Sequence, residues 1–200
     1  MKILKYTKVS NMTLSNAEYK QKFIEYLILL ILGDFNNKLS VLHIQKEIYL
    51  LYNFDVELKK LFSFVKHYKG PYLDLINSCC ESPFYLDGCW EYFEPNEKLS
   101  GGFLKITDKG LNTYINFIQK IKDENIEELL HILTAISILN RLYGSLTCEE
   151  LLLLIYTEFP EYTKKSEVYS NIISKKNNIA KNLFDKKVID EEKYNELSQI

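Results

Sequence analysis

FSFVKHYKGPYLDLI, residues 62–76, is the stretch whose reading decides the fold. An aromatic and β-branched run (Phe62, Phe64, Val65, Tyr68) meets Gly70-Pro71, and a short apolar-periodic segment follows. Proline has φ fixed near the helical value and no N–H to lose, so Pro71 suits the first turn of a helix. Gly70 just before it can take positive φ where the chain turns. The expected structure is an approach segment, a structural corner at Gly70, Pro71 and Tyr72, and a helix of about two turns from Pro71 to Cys80. The alternative reading is an ordinary Gly-Pro turn between packed helices.

Helices lead into this corner. Ser15 caps a helix that runs to Leu32 and stops at Gly33. From Phe23 onward it is apolar nearly all round, which makes it the central pillar. After the turn DFNNKLS, a second helix (VLHIQKEIYLLYNF, 41–54) carries Leu42, Ile44, Ile48, Tyr49 and Leu51 as its apolar stripe, and Gln45, Lys46 and Glu47 are expected to face outward. A short third helix (VELKKLFSFV, 56–65) has Leu58, Leu61, Phe62 and Val65 at helical spacing.

Downstream of the corner the period changes. GCWEYFEP (88–95) and GFLKIT (102–107) read as two short strands around the turn cluster PNEKLSGG. Thr107 or Asp108 then caps a helix with Leu111, Tyr114, Ile115, Ile118 and Ile121 on one face. From Asp123 the composition shifts to long helices. One, from Ile126 to Tyr143, carries two apolar faces, Leu129, Leu133, Ile136 and Leu139 on one and Ile132, Ala135, Ile138 and Leu142 on the other. Burial on more than one side is therefore expected. Thr147 and Glu150 form a capping box for the next helix, which stops at Pro160. A helix from Ser166 to Phe184 and a last one capped by Asp190 complete the chain. The expected organisation is an N-terminal arm (1–14), a winged-helix domain (15–122) and a helical extension (123–200) packed on it. The fold class is mainly α: a helix-turn-helix with a two-stranded wing, plus the extension.

Composition narrows the function. The chain has 200 residues, 46% of them hydrophobic, which suffices for an ample core. Net charge is −2, which gives no global attraction to polyanions. Arg141 is the only arginine, so the bidentate fork that reads guanine edges is almost absent. Adjacent Cys79 and Cys80 make a poor disulfide pair and no signal peptide is visible, so the expected setting is the cytoplasm, with no membrane partner.

Three pieces carry a family resemblance. IQKEIYLL (44–51) resembles the helix that opens the Panacea-domain antitoxins and the YwgA-like bacterial proteins. HYKGPYLDLI (67–76) looks like their aromatic Gly-Pro corner, and FLKITDKGLNTYI (103–115) is similar to their exit from the wing. The pieces follow the family's order over residues 40–120. The resemblance implies a winged helix without enzymatic activity, used through protein contacts in toxin neutralisation or regulation.

Site chemistry agrees with a non-catalytic reading. His43, His67 and His131 share no metal-binding spacing. Cys79, Cys80 and Cys89 with His67 would be a zinc set, but the adjacent pair lacks the spacing two thiolates need at one ion, so these read as structural thiols. Cys148 sits in a helix first turn without a histidine in sequence reach. No catalytic residue, metal or cofactor is expected. The partner is expected to be another protein, a toxin or complex subunit, with homodimerisation as a further option. Trp90, Tyr92, Glu94 and Glu97 are the candidate partner-binding residues. The second reading is a DNA-binding transcriptional regulator whose phosphate contacts come from Lys59, Lys60, Lys66 and Lys69. Against it stand Asp74 and Glu81 in the candidate recognition helix, which has no basic residue.

Overall fold

The structure, a computed structural model, describes residues 15–35, 38–95 and 101–199. The expected arm (1–14) and residues 96–100, with Glu97, lie outside the described residues. In chain order the elements are α1 (Asn16–Phe35), β1 (Leu39–Ser40), α2 (Val41–Phe54), α3 (Val56–Leu61), β2 (Val65–His67), β3 (Gly70–Tyr72), α4 (Asp74–Glu81), β4 (Trp90–Phe93), β5 (Phe103–Ile106), α5 (Asp108–Asp123), α6 (Glu127–Tyr143), α7 (Cys148–Glu158), a 3-10 segment (Pro160–Lys165), α8 (Tyr169–Ser174), α9 (Lys176–Asp185) and α10 (Glu191–Gln199). The molecule is mainly helical with a small antiparallel sheet. Among the described residues it divides into two compact units, one within residues 15–63 and 73–140, the other of residues 64–72 and 141–199. Among the described residues no single helix is long and apolar enough to cross a membrane.

In the first unit α1 is the pillar that its composition demands. Phe23, Ile24 and all six residues from Leu27 to Leu32 are buried. Each such side chain contributes about 1.5–3 kcal/mol on leaving water. Ser15 and Glu18 cap it reciprocally, Glu18 N–H donating to Ser15 Oγ at 3.3 Å and Ser15 N–H to Glu18 Oε2 at 2.8 Å. Helices α2, α4 and α5 and strand β5 pack on α1. The sheet order is β1-β5-β4, all antiparallel, with Leu39 opposite Leu104, Tyr92 opposite Leu104 and Glu91 opposite Lys105. Both strands read from the sequence are present, whereas two-residue β1 is too short to leave a periodic signal. Thr107 caps α5 by accepting from Gly110 N–H at 3.0 Å. Gly110 lets α5 approach β4, since a Cβ there would meet the Cys89 carbonyl.

Several expectations are corrected. Gly33 does not stop α1, which continues to Phe35. The Tyr114 ring lies where a Gly33 Cβ would stand, so the glycine serves helix packing. Gln45, Lys46 and Glu47 do not face outward: they are 2%, 1% and 0% exposed. Helix α2 is enclosed by β1, α1, α3 and α4, so its polar positions are enclosed with it. Helix α3 ends at Leu61, and Val65 belongs to β2. Pro71 lies in strand β3 and not in a helix first turn; the helix begins at Asp74. In a two-stranded ribbon the N–H that proline lacks can be dispensed with. Helix α6 buries Leu129, Ile132, Ile136 and Leu139, while Leu133 and Leu142 are half-buried and Ile138 is 45% exposed. Its second face is therefore not covered throughout.

The second unit is built on the β2–β3 hairpin and helices α7 to α10. Gly70 adopts φ +84°, the left-handed region that glycine tolerates. The carbonyl of Tyr68 accepts from Glu167 N–H at 3.1 Å and from Ser166 Oγ at 3.2 Å. Helix α7 buries Leu151, Leu152, Leu153, Ile155 and Tyr156. Thr147 and Glu150 form the expected capping box, and the buried Glu150 carboxylate also pairs with Lys186 at 2.7 Å. The single helix expected from Ser166 to Phe184 is instead α8 and α9, broken at Lys175. Asp190 caps α10, accepting from Lys193 N–H at 2.8 Å.

Candidate functional site

The candidate site lies on the first unit, where α4, the loop after it and strand β4 present their solvent faces. Helix α4 begins without a side-chain cap of its own, its N-cap residue being Leu73. Gln45 of α2 holds the N-cap residue itself, donating to Leu73 O at 2.9 Å and accepting from Leu73 N–H at 3.1 Å. Ile76, Cys79 and Cys80 are buried, and Asp74, Ser78 and Glu81 face water. At the far end of the helix the Trp90 indole N–H donates to Cys80 O at 3.0 Å, satisfying one carbonyl that the helix leaves open. Trp90 is thereby core, 5% exposed.

The loop after α4 is pinned from beneath. Glu25 sits in the middle of the apolar run of α1 and is fully buried. Its carboxylate accepts from the backbone N–H groups of Phe84 at 2.9 Å, Tyr85 at 2.7 Å and Leu86 at 2.8 Å, and from Gln21 Nε2 at 3.2 Å. Charge-assisted bonds to three successive amides hold this loop in one conformation. Above it Phe84 is 74% exposed, with the Tyr85 ring edge-on at 5.0 Å.

Strand β4 continues the face. Tyr92 is half-buried against Gly102, where a Cβ would strike its ring. Burial pushes the Tyr92 hydroxyl up from its ordinary pKa, and the Glu81 and Glu94 carboxylates push the same way. Tyr92 therefore lies in the negative field of α4 and of the strand's end. Glu91 and Glu94 are exposed. Of the cations on this sheet, Lys105 stands opposite Glu91, and Lys38 lies over the stacked Phe93 and Phe103 rings at 5.3 and 4.9 Å. Around the loop Lys109 Nζ donates to Asp87 O and Lys22 Nζ lies over the Tyr85 ring at 5.4 Å, so the acidic groups here are those of α4 and of the end of β4, with Phe84 exposed on the loop between these elements.

The remaining candidates distribute as follows. Tyr92 and Glu94 share this face, while Glu97 lies outside the described residues. Lys59 and Lys60 are exposed in the last turn of α3, and Lys60 pairs with Glu57 at 2.6 Å. Lys66 and Lys69 belong to the other unit, where Lys69 Nζ lies over the Tyr68 ring at 5.7 Å. The corner residues Gly70, Pro71 and Tyr72 form β3 of that unit, with the His67 ring stacked on Tyr72 at 4.4 Å. Burial pushes the Cys79 thiol up to about 12 and Cys80 well above its usual value. Both thiols are therefore protonated at neutral pH.

Sequence reasoning missed Glu25, Gln45 and Phe84. A carboxylate inside a ten-residue apolar run was the available signal for Glu25; nothing local marks the other two. Compared with protein-family models, curated proteins and solved structures, the chain gives no match.

Proposed function

We propose that the first unit is a winged helix that works as a non-catalytic protein-interaction module, as an antitoxin or an adaptor subunit of a bacterial regulatory or defence complex. Support for the winged helix comes from the order helix, short strand, helix, with α4 leading into a strand pair whose sheet order is β1-β5-β4. Helix α4 holds the recognition position, and β4 and β5 flank the wing.

The observation that carries the interaction role is Phe84. A large ring left 74% in water, on a backbone held by a buried carboxylate, has the character of an interface anchor. Rigidity matters because a backbone already held in place loses little conformational entropy on binding. Asp74, Glu81 and Glu94 lie on the same elements and favour a basic partner surface over a phosphate backbone. The test is affinity capture from the native host with wild type and with Phe84→Asp. The reading expects one partner, retained by wild type and lost in Phe84→Asp while the melting temperature is unchanged. A partner retained equally by both would contradict it.

A further inference from the structure

Helix α5 carries two apolar stripes, and only one of them is buried within the chain. Gly110, Phe117 and Ile121 are buried and Tyr114 is half-buried. This stripe packs on α1: the ring centroids of Phe117 and Tyr26 are 4.6 Å apart, and the Tyr114 ring fills the space beside Gly33. Turned about 100° from it around the helix are Leu111, Ile115 and Ile118. Ile115 is 52% exposed, and Leu111 and Ile118 are half-buried.

The charges at the ends of the exposed stripe select its occupant. Asp108, Leu111, Ile115, Ile118 and Lys122 follow at spacings of three, four, three and four, which keeps them in one narrow stripe. Asp108 in the first turn and Lys122 in the last are both exposed. Each stands seven positions from Ile115, about 10 Å along the helix axis. The stripe is therefore self-complementary. A second copy laid antiparallel across it, with a two-fold axis at Ile115, brings each Asp108 to the end that carries the other copy's Lys122. A parallel arrangement would set Asp108 against Asp108 and Lys122 against Lys122. An unrelated helix would have to supply the same order of charges, whereas a second copy supplies it by symmetry. Exposed Asn112 and Gln119 border the apolar positions as a polar rim.

We propose that α5 is a self-association surface, through which two copies of this chain form an antiparallel two-fold dimer centred on Ile115, with Leu111 and Ile118 beside it and Asp108 and Lys122 at its ends. Three apolar side chains from each copy make a small interface, of the transient class. The dimer does not use Phe84, so this assignment is independent of the interaction role proposed above.

Sedimentation velocity of the full chain, in reductant, over a series from about 1 to about 500 μM tests it. A rise from monomer to dimer with concentration is expected, and no larger species, because a two-fold interface closes on itself. Ile115→Asp places two carboxylates at the axis and should weaken association at least about tenfold. Ile138→Asp, at a comparably exposed position on α6, should change it by less than about twofold. Lys122→Asp sets like charges against each other at both ends and should weaken association by about threefold or more. Adding Asp108→Lys to that variant should restore wild-type association. Monomer throughout the series, equal weakening by Ile115→Asp and Ile138→Asp, unchanged association in Lys122→Asp, or no restoration by Asp108→Lys overturns the assignment. If Ile115→Asp does not fold, Ile115→Ser decides, and wild-type association in that variant overturns it.

Discussion

Gln45 and Leu73 close a two-bond ring across 28 residues, the side-chain amide donating to the Leu73 carbonyl at 2.9 Å and accepting from its N–H at 3.1 Å. A buried side chain of α2 thus sets where α4 begins. Gln45→Met keeps the volume and removes both bonds. Stability should fall by about 1–3 kcal/mol, since the Leu73 N–H loses its partner while its carbonyl keeps the bond from Ile76 N–H at 3.0 Å, and Leu73 is only half-buried. Urea unfolding measures this, and an unchanged midpoint would mean that α4 starts at Asp74 without help.

Glu25 holds the Phe84 loop, so its loss should be felt locally first. In Glu25→Gln the amide offers one acceptor oxygen where three backbone N–H groups now share two. Amide exchange at Phe84, Tyr85 and Leu86 should accelerate by at least about tenfold, with a global cost of about 2–4 kcal/mol. Wild-type protection at those three amides would show that the loop is held by its own packing.

Glu47 is fully buried with neither carboxylate oxygen hydrogen-bonded among the described residues. Burial, and secondarily Asp34, raises its pKa from 4.5 to about 8. Below the lower value the carboxyl is protonated in folded and unfolded chains alike. Between the two values the unfolded chain releases a proton that the folded chain keeps, so this group's contribution to stability falls as pH rises and levels off above about 8. One pKa unit corresponds to about 1.4 kcal/mol, so the loss amounts to several kcal/mol. Glu47→Gln should be nearly neutral at about pH 5 and increasingly stabilising relative to wild type towards about pH 8. A difference between the two proteins that does not change with pH would refute this.

Gly70 stands at φ +84°, where any Cβ brings strain. Gly70→Val should cost about 1–3 kcal/mol and loosen the hairpin of the second unit. Thermal unfolding identical to wild type would show that the hairpin turns freely without glycine.

What the sequence made legible was local. The Thr147–Glu150 capping box, the Thr107 cap and the two strands after Gly88 rest on neighbours a few residues apart, and the structure has them all. What escaped depends on distant residues. Gln45, Lys46 and Glu47 look like a solvated stripe because a polar residue is read outward, and only the enclosing elements reveal their burial. Gly33 resembles a helix stop until Tyr114, eighty-one positions on, is seen in its missing side chain's place. Gly70-Pro71 reads as a helix start from its neighbours alone, whereas strand pairing with Val65, Lys66 and His67 decides the matter. Among the candidate site residues, Tyr92 and Glu94 lie together, and the Phe84 backbone is held by a carboxylate almost sixty residues earlier.

We propose that the face formed by α4 and the strands after it meets protein and not DNA. A DNA mobility shift across a salt series tests it most directly, because phosphate contacts weaken steeply as salt rises. Wild type is expected to form no discrete complex at physiological salt, and to gain salt-sensitive, non-specific binding when Glu81 and Glu94 are both changed to lysine. A wild-type complex with one defined sequence that persists at physiological salt would contradict it.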